Sequence, residues 1–165
     1  MPEVPAPGRS AHTGGAPLAA GAGRSGLPLW AVVALGLVAV PRAVLHDLDR
    51  MPDSRLLVVA LAVGPPILWT GVAVAARLVS PVRTMAAVGA VYGVALGLVH
   101  NLLWDRAFGH RDVRLGGELR GTLPAAVEEL LLRGATTLSS LLTGLAVGLV
   151  TGLVAMMATR LLYRR

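Results

Sequence analysis

Cysteine and lysine are both absent from this chain, and aromatic residues make up only 4% of it. Without cysteine there is no disulfide, no thiolate metal site and no cysteine nucleophile. Charge is scarce as well: Asp, Glu, Lys and Arg account for 15% of residues and hydrophobic residues for 55%, against roughly 25% and 45–50% in soluble domains. All 15 basic side chains are Arg, and the net charge is +6. They stand singly at the ends of apolar runs and form no stripe interleaved with aromatics, which disfavours nucleic-acid binding. The same positive balance suits contact with anionic lipid headgroups. A length of 165 residues is that of one domain.

What is present is a series of long apolar runs. Residues 1–26 hold four Pro and six Gly with almost no bulky apolar side chain, and read as a disordered N-terminal tail. Four runs follow in 27–165: spans at about 27–47, 55–77, 84–104 and 135–160. A helix needs about 20 apolar residues to cross a hydrocarbon layer of roughly 30 Å, and three of the runs reach that length unaided. The first reaches it only with Arg42 near the interface and its head extended outward. The runs lack the strict alternation of a lipid-facing barrel strand. The expected fold is all-α, an integral membrane four-helix bundle behind a disordered tail.

Trp30, Trp104 and Tyr163 stand at helix ends, where amphipathic rings favour the headgroup region, whereas Trp69 and Tyr92 fall mid-span and are expected to pack between helices. Pro65 and Pro66 lie inside the second span, where each removes an amide hydrogen and should bend the helix. With both termini cytoplasmic, the short basic turn at 77–83 and the terminal RLLYRR lie inside. The opposite loops then balance eight Arg with eight acids. The expected location is the cell membrane, with N- and C-termini on the cytoplasmic side.

Two glycine ladders share one spacing: Gly89, Gly93 and Gly97 in the third span, and Gly144, Gly148 and Gly152 in the fourth. Steps of four keep small residues on nearly one helix face and let backbones approach closely. Packing ladder against ladder is one expectation; self-association, or a membrane-protein partner, is the other. Counting depth from Arg83 and Arg160 at about 1.5 Å per residue puts Gly97 level with Gly144 and brings Arg133 near Asp105 or Asn101.

One membrane face collects polar residues from all four spans. The cluster comprises Arg42, His46, Asp47, His100, Asn101, Asp105, Glu129 and Arg133, with Arg55 and Glu128 alongside. Arg42 and His46 are spaced i,i+4 and share a helix face. Ionisable groups at membrane depth are costly unless paired, which makes them functional candidates or members of a satisfied network. Imidazole with carboxylate is a ligand set that a divalent metal accepts, but no HExxH-like spacing fixes a pair of ligands, so no cofactor is predicted.

The segment EELLLRG, residues 128–134, resembles the EExxxR motif of the intramembrane CAAX-processing and Abi protease family. The resemblance covers seven residues and implies metal-dependent hydrolysis, with Glu128 or Glu129 helping to activate water and His46 and His100 completing the candidate catalytic set. The family places its histidines after this motif; here His12, His46, His100 and His110 all precede it, and Val147 stands in the following helix. Acids in a first helical turn and an i,i+4 Glu129–Arg133 pair also stabilise a helix start near Thr122 and Pro124 without any catalysis. A small transporter is the third reading, against which no acid lies mid-span. The leading expectation is a non-enzymatic, multi-pass membrane protein that binds lipid or a partner.

Overall fold

A computed structural model describes residues 26–108 and 113–163. Residues 1–25 of the expected tail, His110 and the terminal Arg164 and Arg165 therefore lie outside the described residues. Those residues form helices and connecting segments with no strand: α1 (Leu29–Val38), α2 (Val40–Asp47), α3 (Arg55–Ala75), α4 (Pro81–Leu102), α5 (Trp104–Phe108) and α6 (Ala125–Leu162), with a 3-10 turn at Gly117–Leu119. Taking α1 and α2 as one path, four helices are long and apolar enough to cross a membrane, and between 17% and 28% of each span is buried inside the bundle. Leu29, Leu56, Ile67, Leu98, Leu138 and Leu161 are among the many large apolar side chains on its outer face. An apolar exterior of this extent needs an apolar surrounding.

The chain runs up and down. The α1–α2 path lies parallel to α4, with Gly36 against Val88 and Val91 and Asp47 against His100. The expected single first span is broken at Ala39. Pro41 has no amide hydrogen to give the Leu37 carbonyl, and the chain turns before it. The break also redirects the Ala39 amide, the regular partner of the Leu35 carbonyl, toward Leu37. The indole of Trp69 takes its place, donating to Leu35 O at 2.9 Å. Trp69 is fully buried and meets Tyr92 edge-on with centroids 6.0 Å apart. By contrast α3 continues through Pro65 and Pro66 as one helix.

The most extensive interface joins α4 to α6. Its buried residues on α6 include Ser140, Gly144, Gly148, Gly152 and Ala155, and on α4 Met85, Gly89, Gly93 and Gly97. A Cβ added at Gly89 would meet the Gly144 carbonyl, and one at Gly148 the Met85 carbonyl. A Cβ on Gly93 would lie 2.8 Å from the Leu141 Cα, and one on Gly144 would lie 2.6 Å from the Gly93 Cα. The helices touch backbone to backbone.

The register differs from the depth count. Gly97 sits against Thr137 and Ser140, one to two turns from Gly144, while Gly152 sits against Pro81 and Val82. Residues after Gly152, Arg160 among them, therefore run past the start of α4, so Arg83 and Arg160 do not mark one plane. The fourth span is also longer than expected. At 38 residues α6 is about 57 Å long and takes Glu128, Glu129 and Arg133 into its own first turns. Pro124 is its N-cap; Thr122 donates to the Leu119 carbonyl at 2.9 Å and caps nothing.

Gly93→Leu and Gly148→Leu should each lower stability in detergent by about 1–3 kcal/mol or more, since the added atoms meet backbone that cannot move aside. Gly71 has nothing within 4 Å of an added Cβ. Gly71→Ala should therefore be neutral or stabilising by roughly 0.5–1 kcal/mol. Thermal unfolding midpoints of the purified variants check both outcomes.

Candidate functional site

The polar end is built from the C-termini of α2 and α4, the short α5 and the first turns of α6. Asp47, the last residue of α2, is buried, and its Oδ2 accepts at 2.6 Å from Nδ1 of His100, which lies in the last turn of α4. The contact orients the ring, since a carboxylate partner at Nδ1 favours the proton on that nitrogen. Asn101 donates through Nδ2 to Gly97 O at 2.8 Å and to Thr137 Oγ1 at 2.9 Å, joining the end of α4 to α6.

Arg133 gathers the next group. Its Nε and Nη2 reach Glu129 Oε1 at 2.8 and 2.7 Å, and its Nη1 donates to the Asn101 carbonyl at 3.0 Å. Asp105 stands 4.0 Å from Nη2 but is 95% exposed, so water screens that pair. The guanidinium also lies over the Trp104 ring, 4.9 Å from its centroid, and Phe108 packs on the same indole at 4.6 Å. Trp104 is consequently buried and does not take the outward, headgroup-facing position expected of it.

The two glutamates diverge. Glu129 is held by Arg133, while Glu128, buried, accepts the Leu115 amide at 2.6 Å and stands 3.9 Å from Arg114. Glu128 thus fastens the connecting segment onto α6. The resemblance to the protease motif requires these carboxylates beside His46 and His100, but His100 is turned to Asp47. Among the described residues no group of three or more His, Asp or Glu side chains could hold a metal ion.

Arg42 is the member of the expected cluster placed elsewhere. With Trp69, Tyr92 and Pro65 it lines a separate cavity beside the middle of α4. It pairs with neither Asp105 nor Glu128. His46, one turn further along α2, lines a different cavity of about 260 Å³ at the polar end with Asp47, Asp49, His100, Arg106 and Phe108. Arg55 begins α3 and is exposed. A groove of about 370 Å³ runs from His100 along α6 past Thr136, Ser139 and Ser140 to Thr143.

Sequence reasoning passed over Asp49, Arg106 and Phe108, because nothing in the sequence shows that α5 folds back toward the end of α2. Ser139 and Thr143 were legible as an i,i+4 hydroxyl pair beside the glycine face. Comparison with protein-family models, with curated proteins and with solved structures finds no match for this chain. Its class therefore rests on its own helices, four of them suited to a membrane.

Asp47→Asn and His100→Gln should each destabilise the protein by about 1.5–3 kcal/mol, the range for a hydrogen bond to a charged group. The pair should be non-additive in a double-mutant cycle, the second substitution costing much less once the first is made. Purely additive losses in detergent unfolding would show that the contact carries no coupling.

Proposed function

We propose that this chain is a multi-pass protein of the cell membrane, both termini cytoplasmic, whose role is to bind lipid and not to catalyse a reaction. The observation that carries the reading is the polar-end cavity, where charges of both signs meet an aromatic ring at the end of an apolar bundle. His46 and Arg106 stand on its wall with Asp47, Asp49 and Phe108. Arg and imidazole suit a phosphate, Asp49 suits an ammonium group, and Phe108 suits the first carbons of a glycerolipid. A zwitterionic phosphoethanolamine headgroup meets all three demands. Asp47 is engaged by His100, which leaves the exposed Asp49 as the acceptor for a cation. The glycine ladders support a monomeric frame, since each is turned toward the other within the chain. Self-association would have to use other faces.

Native mass spectrometry of the detergent-purified protein tests the reading. Phosphatidylethanolamine should be retained in preference to phosphatidylglycerol, and Asp49→Asn and Arg106→Gln should each reduce that retention about tenfold. Equal retention of both lipids by the wild type and by both variants would sink it.

One observation favours a second reading, a membrane hydrolase. A buried carboxylate orienting an imidazole through Nδ1 is the arrangement that prepares a general base. Metal analysis of the purified protein beside His100→Ala and Glu128→Gln separates it from lipid binding. Stoichiometric metal, lost in both variants, supports hydrolysis; metal content that the variants do not alter speaks against it.

A further inference from the structure

The cavity around Arg42 differs in kind from the polar end. It measures about 150 Å³ and is lined by Arg42, Pro65, Pro66, Trp69, Tyr92 and Thr143, together with Leu61 and Ala62. Tyr92 is midway along α4, eleven residues after Pro81 and ten before Leu102, so the cavity lies beside the centre of an apolar helix. A cation at that depth is costly unless something of opposite charge or several acceptors meet it. None of the ion pairs formed among the described residues includes Arg42.

Two neighbouring hydroxyls likewise have no hydrogen-bond partner among the described residues. On α6 the hydroxyls of Thr136, Ser140, Thr151 and Thr159 donate to helix carbonyls four residues back, which is how a lipid-facing helix satisfies them. Thr143 makes no such bond, and the Tyr92 hydroxyl donates to no atom of the described residues. Across the cavity, Pro65 and Pro66 cannot donate to the carbonyls of Leu61 and Ala62, four residues before them. One cation and two hydroxyl-bearing residues therefore line a single cavity, with two carbonyls on its wall left without their helix donors, in a setting where an unmet polar group is costly.

We propose that Arg42, Tyr92 and Thr143 form an intramembrane site for the carboxylate of a single-chain amphiphile, such as a long-chain fatty acid, that reaches it from the bilayer. A carboxylate matches the guanidinium fork in two parallel bonds and has lone pairs left for the two hydroxyls. The volume lies below the roughly 300 Å³ at which pockets for whole small molecules begin, so the site takes a head and leaves the chain outside. Arg42 is exposed on the bundle's flank, which opens the cavity toward lipid tails. A polar track leads there. The groove from His100 along Ser139 ends at Thr143, which also lines the Arg42 cavity, while His100 also lines the rim cavity. A headgroup entering at the rim can descend past hydroxyls with its chain in the hydrocarbon.

Binding of radiolabelled oleate to the full chain in nanodiscs tests the proposal. About one oleate per protein should bind. Arg42→Gln should weaken it at least tenfold, Arg42→Lys by less, and Gly71→Ala, which adds a methyl into open space away from the cavity, not at all. Oleyl alcohol, which has the chain without the charge, should not compete, and neither should acetate at the same concentration. A second measurement does not depend on the variants. The carboxyl carbon of [1-13C]oleate should titrate about one pH unit lower with the protein than in empty nanodiscs, as expected beside a guanidinium. Arg42→Gln binding oleate like the wild type, equal competition by oleyl alcohol or by acetate, or an unshifted carboxyl titration would each overturn it.

Discussion

Everything else in this molecule is positioned by the contact of two helix backbones, α4 against α6. No hydrophobic effect draws helices together in an apolar medium, so their attraction has to come from close van der Waals contact and from hydrogen bonds between helices. Glycine at Gly89, Gly93, Gly144 and Gly148 permits an approach that any side chain would block. Once that register is set, Asn101 falls opposite Thr137 and Arg133 opposite the last carbonyls of α4. The polar end is thus a consequence of packing several turns away.

The handling of polar groups follows one economy. A hydroxyl on α6 is returned to its own helix, a broken α1–α2 path is closed by the Trp69 indole, and a buried Asp47 is met by His100. The exposed rim pairs, such as Arg133 with Asp105, contribute little by comparison because solvent screens them. Against that background the unmatched donors around Arg42 stand out. Their isolation is a feature of four helices together: α2 supplies the cation, α4 and α6 the hydroxyls, and α3 the Leu61 and Ala62 carbonyls that its two prolines leave without a donor.

The adjacent glutamates illustrate how one motif resolves into two unrelated tasks. Successive residues on a helix point about 100° apart, and here Glu128 and Glu129 take different faces. Glu129 takes the face of Arg133 four residues on, and Glu128 takes the face that meets Leu115. The segment that resembles a protease motif serves here as a helix collar and a clasp for the preceding loop.

Fold class was legible from composition and run length, because a bilayer-sized apolar run with no charge has few structures open to it. The spacing of the glycines likewise announced a close helix face, and Glu129–Arg133 followed from i,i+4 geometry alone. Other features were hidden for definite reasons. The depth of Arg42 depends on where α2 begins after the break at Ala39, and a residue count through a proline does not reveal that break. The partnership of His100 with Asp47 spans 53 positions, and its choice over Glu128 rests on which helix ends meet. Local chemistry and periodicity belong to the chain itself. Register between helices, and so the identity of every long-range polar pair, came only with packing, because a shift of one turn exchanges all partners while leaving each helix unchanged.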